Sequence, residues 1–338
     1  MLGILLHQLS IPPKRTKCFL LPYLSFSDHF FAGTGKIEYE TSLPGRYFRS
    51  LLFEFEGSKF ATPRSKTDFH KLKFFTGINI KDITSGENEK NQLLYSFDYV
   101  TGLDQVFITE KKPGMSGFHT LSFQHDNPRR YNPYSFDLNV QAHEYFVKGW
   151  IETQMEIDYR TNKKGLEIRL FAGKFLYNKN HQSRAYDFNL SGWAGTDDYL
   201  YDHVFLGRFE SPYFQEKQQL FSQQFIPCDG GFKVLTSKGS NDWLIALNLI
   251  SAVPGKLPVR VYGSLGSFAN VQQLLYETGI EISIIHNIFA VYFPVVHSGL
   301  ISDNNNYFTE DYWERIRFTL QIEKIKPIRL IKDLPIKF

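Results

Sequence analysis

Ten histidines, two cysteines and 35 carboxylates are the side chains from which this chain could build a reactive centre. A zinc site of the His-Glu-x-x-His kind needs two imidazoles four residues apart on one helix face. The nearest match is His143-Glu144-Tyr145-Phe146-Val147, where Val stands at the second ligand position, and the segment reads as a strand turn. His119 and His125 share a strand face but lie about 20 Å apart along it, too far for one metal ion. In Tyr201-Asp202-His203 the carboxylate and the imidazole would point to opposite faces of a strand. No Gly-x-Ser-x-Gly elbow supports a serine nucleophile. Gly263-Ser264-Leu265-Gly266-Ser267 lacks the lysine and the following helix of a phosphate cradle. Cys18 and Cys228 are far apart, without a CxxC, and read as two free thiols. Asp229-Gly230-Gly231 is a turn signal at which a loop-based ligand contact stays open. The sequence therefore offers no catalytic, cofactor-binding or metal-ligating set.

What remains is a charged series that must be positioned by strands. From Ile151 to Arg160 the odd positions are Ile151, Thr153, Met155, Ile157 and Tyr159, and the even ones Glu152, Gln154, Glu156, Asp158 and Arg160. A period of two makes one largely apolar and one polar face of a strand. After the turn Thr161–Gly165 the pattern resumes, with Leu166, Ile168 and Leu170 against Glu167 and Arg169. Opposite-charge pairing favours Asp158 across from Arg169 and Arg160 across from Glu167. The same alternation marks 71–81, 136–143 and 312–322, the last with Arg315, Ile316, Arg317, Phe318 and Leu320. Further strands are expected near 16–26, 30–41, 46–57, 91–102, 117–126, 185–192, 242–251, 257–267 and 279–297. Turns fall at Pro44-Gly45, Lys112-Pro113-Gly114 and Pro254-Gly255, and a loop at 302–311. No helix has convincing caps. The pattern predicts an all-β, antiparallel barrel of roughly 12–16 strands, residues 1–338 forming a single domain.

Whole-chain numbers narrow the class. A net charge of +3 excludes a large single-sign field, so nucleic acid is not expected as a partner. At 42% apolar and 22% charged residues the chain is not disordered. Aromatics reach 16%, which suits strands and the aromatic girdles of membrane barrels. The apolar run after Met1 is too short for a signal sequence, so Met1 reads as an internal start with an N-terminal portion missing. No stretch is apolar enough for a membrane-spanning helix.

A soluble sandwich would show the same alternation with the greasy side inward. Three features favour a membrane barrel instead. Several strands are long enough to cross a bilayer at a tilt, bulky and small residues mix on the polar face (Phe171, Gly173, Phe175), and aromatics gather near strand ends. On that reading Glu152, Gln154, Glu156, Asp158, Arg160, Glu167, Arg169, Arg315, Arg317 and Glu323 form a polar network facing the lumen. Ile151, Met155, Ile157, Tyr159, Ile168, Leu170, Ile316, Phe318 and Leu320 face the lipid bilayer.

The later half carries a family resemblance. Gly165–Leu176, Tyr201–Arg208, Asp229–Lys233, Asn241–Leu249, Leu257–Gly263, Ile288–Pro294 and Glu314–Leu320 together resemble the C-terminal barrel-like region of Bacteroidota surface proteins. Those proteins carry an aminopeptidase N-like (gluzincin) metallopeptidase domain ahead of it. The chain departs from the pattern at Tyr276-Glu277-Thr278-Gly279, where the family has an Asp-Gly-Gly-like turn. The resemblance implies a cell outer-membrane location and an anchoring role for a peptidase domain upstream, or for a periplasmic or surface partner. A transport or binding barrel with a charged lumen, and a soluble β-sandwich binding module, are the alternatives.

Overall fold

The computed structural model describes residues 2–4, 6–7, 15–25, 30–61, 68–81, 89–101, 115–159, 165–179, 186–193, 199–200, 202, 226, 231–234, 239–253, 257–269, 271, 273–285, 288–298 and 312–320. Among them the chain is all-β and antiparallel. The strands are β1 (Leu2–Gly3), β2 (Leu6–His7), β3 (Thr16–Ser25), β4 (Phe30–Ser42), β5 (Phe48–Ala61), β6 (Asp68–Ile80), β7 (Lys90–Thr101), β8 (Met115–Asn127), β9 (Tyr134–Ala142), β10 (Phe146–Asp158), β11 (Gly165–Asn178), β12 (Phe188–Trp193), β13 (Trp243–Ala252), β14 (Val259–Phe268), β15 (Leu275–Ile285), β16 (Phe289–His297) and β17 (Arg317–Leu320). Fifteen of these have four residues or more. The span 279–297, expected as one strand, is divided between β15 and β16, and between them the Ile288 amide donates to the Ile285 carbonyl. Tyr276–Gly279 lie inside β15, not in the turn that the family pattern has there. The strand expected from Tyr312 begins only at Arg317, because Tyr312–Arg315 form a 3₁₀ turn.

The chain forms two compact units, residues 1–153 with 174–185 and residues 154–173 with 186–338. In the first, strands β3 to β9 pair each with its sequence neighbour, and β1 and β2 both pair with β3. The registers carry one apolar face across the whole set. Ile37 opposes Phe55, Phe55 opposes Phe74, Phe74 opposes Phe97, Tyr95 opposes Leu121, and Leu121 opposes Val140. At Arg49 a one-residue bulge shifts the register, so that Phe48 meets Ile80 and joins this face although its parity is that of the polar one. The opposite face carries Glu38, Glu54, Lys71, Lys73, Asp98, Thr120 and Gln141. The β9–β10 connection is tight: the His143 amide donates to the Phe146 carbonyl at 2.8 Å, and the Phe146 amide returns to His143 at 3.3 Å.

In the second unit β13 to β17 again pair in sequence order. Val261 lies directly opposite Ile280, and Leu265 opposite Tyr276. The other face is polar and reads across the strands in rows. Asn248, Ser264 and Glu277 form one row; Arg260, Glu281, Tyr292 and Arg317 form another.

Candidate functional site

The two faces are inverted relative to a water-soluble sheet. On the apolar face of the first unit Phe31, Ile37, Phe55, Leu72, Leu121 and Val140 are 37–59% exposed. On its polar face Lys71 and Asp98 are 4% and 1% exposed. The second unit repeats this: Ile245, Val261, Leu265, Tyr276 and Ile280 are exposed, while Asn248, Ser264, Glu277, Glu281 and Arg317 are buried. Large apolar side chains on the solvent-facing side of a sheet this broad make a patch far beyond the few hundred square ångströms a soluble monomer exposes.

The most enclosed polar site lies in the second unit. The segment Gly231–Val234 packs onto the polar face and is itself buried. Its Lys233 and Val234 amides donate to Glu277 Oε1 and Oε2 at 2.6 and 2.9 Å, so one carboxylate holds two successive peptide groups. The Ser264 hydroxyl contacts both the Gly231 carbonyl at 3.2 Å and Glu277 Oε1 at 3.3 Å. Lys233 Nζ sits 4.9 Å over the Tyr292 ring. The Phe232 amide donates to the Leu190 carbonyl of β12, and the Ile226 amide to the Phe318 carbonyl of β17. A second knot joins Glu167 of β11 to Arg260, which also reaches Glu281 at 3.2 Å. Arg169 donates to Asn248 at 2.9 Å. The close fit depends on two glycines. A Cβ at Gly266 would meet Leu190 at 2.6 Å and Phe232 at 3.1 Å, and one at Gly279 would meet the Tyr262 ring at 2.7 Å.

The polar face of the first unit is organised differently, by ion pairs between adjacent strands. Lys17 joins Glu38 at 2.7 Å, and Lys36 joins Glu54 at 2.6 Å. Lys71 and Lys73 share Asp98 at 3.5 and 3.9 Å. Lys148 is fully buried, its ammonium 5.4–5.9 Å from the rings of Phe146, Phe175 and Trp150. Beside it His143, in the β9–β10 turn, stacks on Phe118 with ring centroids 4.4 Å apart. Its Nδ1 accepts from the Tyr145 amide at 3.4 Å. Burial lowers the His143 pKa to about 4, so the ring is neutral at pH 7.

The residues expected in the lumen are distributed as follows. Glu152 and Arg317 are buried; Glu156, Asp158, Glu167, Arg169 and Arg315 are half-buried; Gln154 is exposed. Arg160 and Glu323 lie outside the described residues, and with Arg160 the pairing proposed for it. Among the residues expected toward lipid, Met155 and Leu170 are exposed, and Ile151, Ile157, Tyr159, Ile168, Phe318 and Leu320 are half-buried. Ile316 is a correction. It is 8% exposed, because it leaves the 3₁₀ turn before the strand alternation begins at Arg317. The sequence reading assigns none of Glu277, Glu281, Arg260, Asn248, Lys233 and Ser264 to the polar network. Glu277 and Glu281 alternate with Ile280 and Ile282, a period-two signal that was legible; Lys233 had none, because its segment is not a strand.

The remaining candidates have structural occupations. His119 meets the Tyr95 hydroxyl at 2.8 Å, and His125 meets Asn91 Oδ1 at 2.7 Å. Gly263–Ser267 lie within β14, not in a loop. Cys18 is exposed, whereas Cys228, Tyr201 and His203 lie outside the described residues. Among the described residues no three His, Cys, Asp or Glu stand together as metal ligands would.

No family model and no curated protein matches the chain. Among solved structures it is similar to CdiB from Acinetobacter baumannii, at 11% identity and a TM-score of 0.37, over 84% of this chain. It is also similar to BamA from Haemophilus ducreyi lacking POTRA domains 1-3, at 12% identity and a TM-score of 0.42, over 88% of this chain. Both are outer-membrane β-barrel proteins. The chain spans 50% of the length of the first and 66% of the second. Scores of this size leave function to be read from the two faces of the sheet.

Proposed function

We propose that this chain is a single-domain outer-membrane β-barrel that anchors a metallopeptidase-like module, carried upstream or on another chain, in a Bacteroidota surface assembly. One observation carries the membrane part: the exposed face is apolar across every paired strand from β3 to β9 and again from β13 to β15, while the charges lie on the buried face. Lipid satisfies such a face and water does not, at roughly 25 cal/mol per Å² of apolar surface. The strand lengths of the first unit, 9–14 residues from β3 to β10, suit a tilted crossing. The anchoring part is supported by the family resemblance, and by a polar interior committed to internal contacts at Glu277 and Asp98.

Carbonate washing of membranes from cells expressing the native gene tests the first part. Retention in the pellet is expected, and release into the aqueous fraction would sink it. The second part is tested by deleting this region in frame. Zinc-dependent aminopeptidase activity should move from the outer-membrane fraction to the soluble one; activity staying with the membrane removes the anchoring role. The ladder Lys17–Glu38–Lys36–Glu54 is only partly buried, which favours a second reading, a barrel that passes or holds a polar solute. Planar-bilayer conductance by the purified barrel distinguishes it.

A further inference from the structure

At one end of the first unit, where β3 and β7 begin, β4 turns into β5, β6 ends and β8 turns into β9, seven cations gather: Arg15, Arg46, Arg49, Lys81, Lys90, Arg129 and Arg130. All are exposed, and none makes an ion pair with a described carboxylate. The described carboxylates at this end are Glu40, Glu89 and Asp126, and Glu89 is engaged by Asn127 at 2.6 Å. Aromatics stand among the cations. Tyr47 and Tyr131 are 59% and 65% exposed, and Arg130 lies over the Tyr131 ring, as Arg129 lies over Tyr134. Two of the cations are braced by backbone: Lys81 Nζ donates to the Gly45 carbonyl at 2.8 Å and Arg129 Nε to the Asn132 carbonyl at 2.7 Å. The bulge at Arg49 turns Phe48 onto the apolar face beneath this rim. At the opposite end of the same strands the cations are fewer among the described residues, Lys59 and Lys179, with Glu144 between them in the chain.

Resting on the membrane reading above, we propose that this basic-aromatic rim binds the phosphate of anionic lipid headgroups and so fixes which end of the strands meets the anionic leaflet. The charges complement it. An Arg fork matches phosphate oxygens in pairs, Lys supplies a point charge, and tyrosine rings sit at headgroup depth beside an apolar band. Cations near an anionic surface each add about fivefold to association at low salt.

The test uses the full chain reconstituted in phosphatidylcholine vesicles, with trace spin-labelled phosphatidylglycerol or phosphatidylcholine reporting on the lipid shell. The wild type should prefer the phosphatidylglycerol label, and the preference should fall with salt. R46Q/R129Q/R130Q should lose at least tenfold of it while retaining the wild-type circular dichroism spectrum, and K59Q at the opposite end should lose none. A restricted shell with equal affinity for both labels, or a preference unchanged in the triple variant, overturns the rim. Inorganic phosphate abolishing the preference where chloride of equal ionic strength does not would make it a soluble-phosphate site and also overturn it. A chain restricting neither label is not in the bilayer, and then the membrane reading itself fails.

Discussion

The polar faces of the two units solve the same problem by different means. In the first unit the charges are satisfied by their neighbours: Lys17 by Glu38 on the adjoining strand, Lys71 and Lys73 by Asp98. In the second the face is satisfied by a separate segment, Gly231–Val234, whose peptide groups fill the acceptors of Glu277. Cross-strand pairing is local and redundant, since a long side chain can swing to another partner. A carboxylate that holds two amides has no substitute. The contrast teaches where each unit is brittle.

The largest effect is expected at Glu277. Glu277→Ala strands two buried amides, while the Ser264 hydroxyl keeps the Gly231 carbonyl, at a cost of about 3–5 kcal/mol. The urea midpoint in detergent measures it, and a change no larger than that of a surface substitution would erase the contrast. Gly279→Val forces a side chain against the Phe293 carbonyl of β16 and into the Tyr262 ring, and should cost about 2–3 kcal/mol by the same assay. A value near zero would mean that the β15–β16 backbone yields there and that the Tyr262 packing is loose.

Acid should loosen the first unit through His143. Its folded pKa, about 4, lies below the unfolded value near 6.5, so the unfolded state binds the extra proton between them. Stability from this group is complete above about pH 6.5 and is lost as pH falls toward 4, by about 2 kcal/mol once partial exposure is allowed for. Comparing midpoints at pH 7 and pH 4.5 in the wild type and His143→Phe checks this; an equal drop in both would assign the acid sensitivity elsewhere.

Lys71→Met should cost only about 1–2 kcal/mol, because Lys73 remains beside Asp98, and adding Lys73→Met should raise the loss to about 3–5 kcal/mol. Additive single losses would refute the sharing. At the small end, Lys17→Ala removes an exposed pair and should leave the midpoint unmoved.

The first unit was the more legible of the two for this reason. Alternation at 71–81 and 136–143 marks strands in place, and it assigns Phe74, Leu138 and Val140 to the exposed face because a two-residue period needs no distant information. The second unit resisted where tertiary packing overrules local pattern. Nothing in Gly231-Phe232-Lys233-Val234 announces a buried segment, and the Glu277 that holds it lies more than forty residues away. The 3₁₀ turn at Tyr312–Arg315 obeys the strand alternation in its side chains but not in its backbone, so Ile316, at its end, is buried. Of the charged series, Glu167 and Arg169 do reach the enclosed site, through Arg260 and Asn248.

The clasp and the strand it holds are far apart in the chain. Gly231–Val234 precede β13 to β17, the strand bearing Glu277 among them. Hairpins that pair with sequence neighbours close short loops and can zip up one after another. The late strands of the second unit close over a segment that precedes them in the chain, so losing that segment should impair the pairing of the last hairpins more than that of the first.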